Sequence, residues 1–215
     1  MALEKAIVEF YFDYSCPWSY LAFVRLNEAA KRTGSAIEWR PIVLDTLLEQ
    51  ACPGRPVSRA PADPRKAAYE ANDIEAWSDY VGVTINRPDG WPVDSGLAAA
   101  GGVIADQQGK IRAFSDAVFS TYFESGTDIA DAAVLAGLAV SAGLERRAFE
   151  RGLADTANHQ NVDAHTEELL KRGGFGAPTM FVGQQMFFGN DRMPLVEFAL
   201  GQSSGRQFVM PGQHG

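Results

Sequence analysis

Residues 7–23 read IVEFYFDYSCPWSYLAF, and this stretch decides the fold. The segment Ile7–Asp13 is β-branched and aromatic, which is typical of a buried strand, and it runs into a polar turn before Pro17. From Pro17 onward apolar residues recur at helical spacing. Pro17 suits the first turn of a helix and Gly34 suits its end. The stretch therefore predicts a strand, a tight turn and a helix that ends near Gly34.

The segment that follows this helix predicts a second strand. Residues Ala36–Val43 read AIEWRPIV, and Pro41 limits how far this strand can pair in the middle of a sheet. A strand, a helix and a strand in close succession form a βαβ unit. Its two strands are expected to be parallel, with a right-handed crossover.

The rest of the chain predicts a block of helices and then a return to strands. No strand pattern is present from residue 45 to residue 172. Helical spacing is predicted over 65–80, 96–105, 111–124, 131–142, 145–153 and 158–172, with loops over 53–64 and 85–95. Residues 178–182 and 186–188 read as a hairpin, and 191–200 as a closing helix.

This order predicts an α/β fold with a four-stranded βαβ…ββα sheet and a large all-helical insertion. The predicted division is a discontinuous domain of residues 1–44 and 173–203, an insertion of residues 45–172, and a flexible tail of residues 204–215.

Composition limits the classes of function. The chain has 215 residues and a formal net charge of −8, so its field repels phosphate backbones and a nucleic-acid partner is not expected. No apolar run approaches the ~20 residues that span a membrane. The start of the chain shows no secretory pattern, so a cytoplasmic location with both cysteines, Cys16 and Cys52, reduced is expected.

Cys16 stands at the turn between the first strand and the first helix. Helix starts carry partial positive charge and free N–H groups, and cysteines placed there can have a pKa well below the free value of about 8.5. Cys16 is therefore a candidate nucleophile or a stabiliser of a bound thiolate. The alternative is a small buried apolar residue. Ser19 occupies the position where a redox C-x-x-C motif needs its second cysteine, so a monothiol site or a site for a thiol cofactor remains.

Three stretches carry a family resemblance. Residues 10–23 (FYFDYSCPWSYLAF) resemble the start of the 2-hydroxychromene-2-carboxylate isomerases and of kappa-class glutathione transferases. Residues 175–193 (FGAPTMFVGQQMFFGNDRM) resemble the end of the same isomerases, and residues 64–74 (PRKAAYEANDI) resemble a stretch of the transferases. Both families belong to the DsbA-like branch of the thioredoxin superfamily. The resemblance therefore implies a thioredoxin-like fold.

The resemblance also implies a glutathione site. The sulfur of glutathione would lie at Cys16. By their chemistry, apart from the resemblance, Ser15 and Ser19 are candidate hydrogen-bond donors to a sulfur there, and the alternative is that they only cap the helix. Ala177 and a cis Pro178 would pair with the peptide part of the cofactor. Other residues have implied roles at the two ends of glutathione: Lys66 at the glycine carboxylate, and Asn190 and Asp191 at the γ-glutamyl amine and carboxylate. Asp191 as a helix cap and Lys66 as a surface lysine are the alternatives.

Three enzymatic functions and one non-enzymatic function fit these observations. The first is a glutathione-dependent isomerase that acts on a small aromatic α-keto acid by reversible thiol addition, with Cys16 where relatives usually have Ser. The second is a DsbA-like monothiol disulfide oxidoreductase that uses Cys16, because Cys-Pro-Trp-Ser is close to the Cys-Pro-Trp-Cys of those enzymes. A glutathione transferase and a non-catalytic binding protein are further alternatives. The family implies a homodimer.

Overall fold

A computed structural model gives the structure of the protein for residues 5–54, 59 and 63–203. The four strands are β1 (Ile7–Phe12), β2 (Ala36–Pro41), β3 (Thr179–Val182) and β4 (Gln185–Phe188). The helices are α1 (Pro17–Thr33), α2 (Leu44–Ala51), α3 (Pro64–Val81), α4 (Gly96–Gln107), α5 (Ile111–Phe123), α6 (Ala132–Ser141), α7 (Arg146–Ala154), α8 (Thr156–Lys171) and α9 (Met193–Ser203), with a 3₁₀ turn over Asn190–Arg192.

The strands form one mixed sheet in the order β2-β1-β3-β4. β1 pairs with β2 in parallel, in a register that sets Ile7 beside Ala36, and with β3 antiparallel. β3 and β4 form the predicted hairpin. The α/β class and the βαβ…ββα order are therefore confirmed, with α2 to α8 lying between β2 and β3 along the chain. The division into a domain and an insertion stays a prediction, and the predicted tail lies outside the described residues.

The helix signals of the sequence are confirmed at α1. Pro17 lies in its first turn, and Gly34 ends it with a left-handed φ of 70° that favours glycine. The helices α3 to α8 lie within about two residues of their predicted bounds, which is the usual uncertainty of helix ends.

Three elements differ from the prediction. α2 was not predicted, because it has only two turns and few residues to show a helical period. β2 ends at Pro41, two residues earlier than predicted, where the proline cannot donate to a neighbouring strand. The closing helix is preceded by the separate 3₁₀ turn, and Gly189, the residue just before that turn, has a φ of 102°.

Aromatic side chains pack the sheet against the helices. Phe119 of α5 is fully buried, and its ring lies between 5.1 and 6.1 Å from those of Phe12, Tyr14, Tyr20 and Phe23, centroid to centroid. Rings at these separations make favourable contacts beyond simple burial. The residues after β1 are thus fixed against α5 before they reach the turn at Cys16.

A close approach fixes α4 against the same residues. A Cβ atom at Gly102 would lie 2.6 Å from the Tyr14 hydroxyl, so only glycine fits there. The Tyr14 hydroxyl shares a 2.7 Å hydrogen bond with Ser115 Oγ, and burial raises the pKa of Tyr14. Among the described residues, no helix is long and apolar enough to cross a bilayer.

Candidate active site

The β1–α1 turn places Cys16 at the start of α1, as the sequence predicts. The Cys16 amide donates to the carbonyl of Asp13 at 3.2 Å, and its carbonyl accepts from Ser19 at 3.0 Å. The side chain is only 4% exposed, and its thiol donates to the carbonyl of Ala177 at 3.6 Å. The Ala177–Pro178 peptide bond is cis, which the resemblance implied. The thiol therefore faces the loop that precedes β3.

The surroundings of the thiol raise the pKa of Cys16. Burial is the largest cause, and the charge of Asp13 adds to it. Hydrogen bonds from the hydroxyl and the backbone amide of Ser19 lower the pKa, as does the charge of Arg59, but they do not outweigh burial. A lowered pKa at this helix start is therefore not found. Cys16 combines both sequence-based alternatives, a helix-start thiol and a buried one, and it is neutral at physiological pH.

The buried carboxylate of Asp13 holds the β1–α1 turn in place through hydrogen bonds. Asp13 is fully buried, and its Oδ1 accepts from the backbone amide and the hydroxyl of Ser15, both at 2.7 Å. Its Oδ2 accepts from the amide of Leu44 and from Ser95 Oγ, also both at 2.7 Å. Arg59 completes the set, with nitrogen atoms 3.4 and 3.5 Å from the two oxygens. One side chain thus joins β1 to the starts of α2 and α4.

Two further side chains, those of Arg59 and Trp91, hydrogen-bond to Ser15 in the β1–α1 turn. Arg59 is bonded to Ser15 Oγ at 2.6 Å and to Asp45 at 2.7 Å. The indole of Trp91 donates to the carbonyl of Ser15 at 2.8 Å, and the guanidinium of Arg87 lies 4.5 Å from the centroid of the indole ring. Both loops that precede helices α3 and α4 therefore contribute a side chain to the turn that carries Cys16.

Three adjoining cavities share the side chain of Trp18. The thiol cavity has a volume of about 110 Å³. The hairpin cavity, beside the β3–β4 hairpin, has about 470 Å³, and the α3 cavity has about 620 Å³. Their shared walls include Ala177, Tyr69, Glu70 and Asp73. We call the three together the cleft.

The cleft collects most of the predicted site residues. Cys16 and Ala177 line the thiol cavity, together with Leu44, Leu48 and Trp91 among others. The hairpin cavity is lined by Trp18, Tyr69, Asp73, Trp77, Ala177, Pro178, Phe188, Gly189, Asn190 and Asp191. Lys66 lines the α3 cavity. Ser19 lines none of the three cavities; its buried hydroxyl accepts from the amide of Asp13 at 3.3 Å and also contacts the thiol of Cys16.

The 3₁₀ turn brings an amide and a carboxylate to the hairpin cavity. Asn190 is 2% exposed and is held by Arg25, whereas Asp191 is exposed and its carboxylate lies 3.7 Å from Arg192. The amide of Gly189 donates to the carbonyl of Pro178 at 3.0 Å, which ties the turn to the cis-proline loop. Asp73 of α3 lines the same cavity. A ligand that carries both an ammonium group and a carboxylate fits this donor and acceptor set.

The fold agrees with comparisons that cover nearly the whole chain. Residues 7–201 match the DSBA-like thioredoxin domain. This chain belongs to the DSBA-like thioredoxin family. The resemblance drawn from the three sequence stretches is therefore confirmed at the level of the family.

Similar members of this family carry the name that the sequence suggested. A protein named 2-hydroxychromene-2-carboxylate isomerase, from Sphingobium xenophagum, is 33% identical over 190 residues, which cover 88% of this chain and 95% of the relative. A solved structure of 2-hydroxychromene-2-carboxylate isomerase has a TM-score of 0.80 at 29% identity, covering 91% of this chain and 95% of the other.

The wider DSBA-like family is represented by a structure described as a "probable DsbA oxidoreductase" from Streptomyces coelicolor. It has a TM-score of 0.76 at 22% identity, and it covers 96% of this chain and 93% of that chain. At this identity the similarity shows the fold alone.

Sequence reasoning missed four residues whose hydrogen bonds hold the site in place, namely Asp13, Arg25, Arg59 and Ser95. Asp13 carries a local signal, because Asp-x-Ser after a strand is typical of a turn in which the carboxylate accepts from the chain two residues on. Arg25, Arg59 and Ser95 carry no such signal. Each reaches the site from another element, so only the folded chain shows its role.

Asp13→Asn should destabilise the protein by about 3–5 kcal/mol, the usual cost of breaking a buried charge pair. Whichever way the new amide turns, its NH₂ group opposes a backbone N–H, of Ser15 or of Leu44. The free energy of unfolding in urea measures this. Asp45→Asn is the control, because the Asp45 side chain is 40% exposed and should cost less than about 1 kcal/mol. Equal losses in the two variants would contradict the organising role of Asp13.

The raised pKa of Cys16 predicts a thiol that ionises late. In a Cys52→Ser background, the ultraviolet absorbance of the thiolate should rise with a midpoint above the ordinary cysteine value. Ser19→Ala should move the midpoint higher still, because it removes a hydrogen bond that lowers the pKa. Ser141→Ala, an exposed serine of α6, should leave it unchanged. A midpoint below the ordinary value would refute this account of the turn.

Proposed function

We propose that the protein is a glutathione-dependent isomerase that acts on a small aromatic α-keto acid. The observation that carries the proposal is the cleft around Trp18, which brings Cys16 together with Lys66, Ala177, Asn190 and Asp191. The similarity of nearly the whole chain to proteins named 2-hydroxychromene-2-carboxylate isomerase supports the reaction class. The homodimer that the family implies stays a prediction.

The residues that line the cleft match the charged groups at the two ends of glutathione. In the hairpin cavity, Asp191 and Asp73 supply carboxylates for the γ-glutamyl ammonium group, and Asn190 supplies an amide whose Nδ2 atom is buried without a partner. Ala177 contributes backbone groups at the middle of the cleft. Lys66, in the α3 cavity, supplies an ammonium group for the glycine carboxylate. A thiol peptide that spans these points would place its sulfur near Cys16.

Bound glutathione would supply a thiolate that adds to a conjugated double bond of the substrate and is expelled after rotation about the resulting single bond. The neutral thiol of Cys16 suits the role of a hydrogen-bond donor to that sulfur, which is the role of the serine hydroxyl in relatives. The partial positive charge at the start of α1 adds to this stabilisation. Leu44, Leu48 and Trp91 bring apolar side chains to the thiol cavity, where they lie beside the charged groups of Arg59 and Glu70.

The alternative function, a monothiol disulfide oxidoreductase, draws on the Cys-Pro-Trp-Ser sequence and on the DSBA-like fold. Attack on a disulfide needs a thiolate, and burial beside Asp13 raises the pKa of Cys16. The second cysteine, Cys52, is exposed at the end of α2. We therefore rank this function second.

Asp191→Ala tests the cofactor site. Titration of the reduced protein with reduced glutathione by anaerobic calorimetry should show saturable binding. Loss of a charged hydrogen-bond partner should weaken this binding on the order of ten- to a hundred-fold. Asp163→Ala is the matched control, because Asp163 is exposed on α8 and lines none of the three cavities. Absence of binding to the unaltered protein, or full isomerase activity without glutathione, would overturn the proposal.

Replacement of Cys16 separates the two functions. Cys16→Ser keeps a hydrogen-bond donor at the sulfur site, so isomerisation of 2-hydroxychromene-2-carboxylate with glutathione should persist. Cys16→Ala removes the donor and should lower the rate about ten-fold, the equivalent of one hydrogen bond of about 1.4 kcal/mol. An oxidoreductase would instead lose all activity in both variants, as measured by reduction of a mixed disulfide. Cys52→Ser controls for the loss of any thiol.

A further inference from the structure

Arg25 lies on α1 and reaches across to the 3₁₀ turn. Its Nη1 atom donates to the backbone carbonyl of Asn190 at 2.7 Å and to Asn190 Oδ1 at 2.9 Å. Its guanidinium also lies over the Trp77 ring, 4.6 Å from the ring centroid, and this cation–π contact helps to hold the guanidinium in place. A guanidinium has donors only. The Asn190 amide must therefore turn its oxygen to Arg25.

This orientation decides what the other end of the amide can do. Over residues 5–54, 59 and 63–203, Asn190 Nδ2 is the one buried side-chain nitrogen or oxygen without a hydrogen-bond partner. Buried polar atoms are nearly always paired in folded proteins, so an unpaired one calls for an explanation. Asn190 lines the hairpin cavity beside Asp191 and Pro178. A ligand acceptor in this cavity would give Nδ2 its missing partner.

We propose that Arg25 is a positioning residue for ligand recognition. It holds the Asn190 amide so that Nδ2 serves as a donor to a ligand carboxylate in the hairpin cavity. The inference rests on the proposed function, in which that carboxylate is the α-carboxylate of the γ-glutamyl group. Arg25 itself lines none of the three cavities and acts through Asn190.

The surroundings of Arg25 keep this donor in place before the ligand arrives. Trp77, which packs against the guanidinium, also lines the hairpin cavity. Tyr80 lies on the same helix, with its ring centroid 5.8 Å from the guanidinium carbon. One arginine thus joins α1, α3 and the 3₁₀ turn. A donor fixed in advance loses little conformational freedom on binding, which favours affinity.

The test compares two ligands. The first is glutathione, and the second is γ-aminobutyryl-cysteinylglycine, which lacks only the α-carboxylate of the γ-glutamyl group. Arg25→Met should weaken glutathione about ten-fold by calorimetry, because Asn190 Nδ2 is no longer aimed at the carboxylate. The affinity for the analogue should change less than about two-fold, because it has no carboxylate for that donor.

Three further variants sharpen the test. Arg32→Met removes an exposed arginine of the same helix, whose side chain bonds to Glu197 and lines none of the three cavities, and it should leave both affinities unchanged. In an Asn190→Ala background, Arg25→Met should cause no additional loss of glutathione affinity, since the two residues act as one unit. If Arg25→Met does not fold, Arg25→Lys replaces it, and it should weaken glutathione by a smaller factor while sparing the analogue.

The outcomes separate the two proposals. Equal weakening of both ligands would show a merely structural role for Arg25 and overturn the inference, and so would unchanged glutathione affinity in both Arg25 variants. Either result leaves the proposed function standing. If the unaltered protein binds no glutathione, the proposed function fails and the role of Arg25 fails with it.

Discussion

The buried carboxylate of Asp13 is the constraint on which the candidate site depends. A carboxylate without solvent is costly unless its oxygens are fully bonded. Here the bonds come from the turn after β1, from the first residue of α2, from the serine that precedes α4, and from Arg59. Satisfying this one group therefore brings three other chain segments, those of Leu44, Arg59 and Ser95, to the turn after β1.

The same constraint shapes the chemistry of Cys16. Burial and the charge of Asp13 both raise the pKa of the thiol, and they outweigh the hydrogen bonds of Ser19 and the charge of Arg59, which lower it. The fold thus carries a helix-start cysteine in a neutral form. A neutral thiol is suited to donating a hydrogen bond to another sulfur rather than to attacking a disulfide. The site departs in this respect from what its position in a DSBA-like fold would suggest.

The two ends of the cleft are built on different principles. At the thiol end, a network closed within the protein fixes the backbone of the β1–α1 turn. At the hairpin end, Arg25 bonds to the side-chain oxygen of Asn190, and Asn190 Nδ2 remains a donor without a partner. A closed network gives rigidity, whereas an open one gives a place for a ligand to complete it. Trp18 lies between these two ends and lines all three cavities.

The sequence by itself determined the order of strands and helices along the chain, most helix bounds, the helix-start position of Cys16 and the cis Ala177–Pro178 bond. These follow from local patterns, such as strand composition and Pro and Gly at helix ends, and from a family resemblance carried by contiguous stretches. Only the tertiary structure decided the direction of the pKa shift of Cys16, the burial of Ser19, and the contacts of Arg25, Arg59 and Ser95. Each of these depends on charges and donors that come from distant parts of the chain. No local pattern records such contacts, because burial and long-range pairing exist only once the chain has folded.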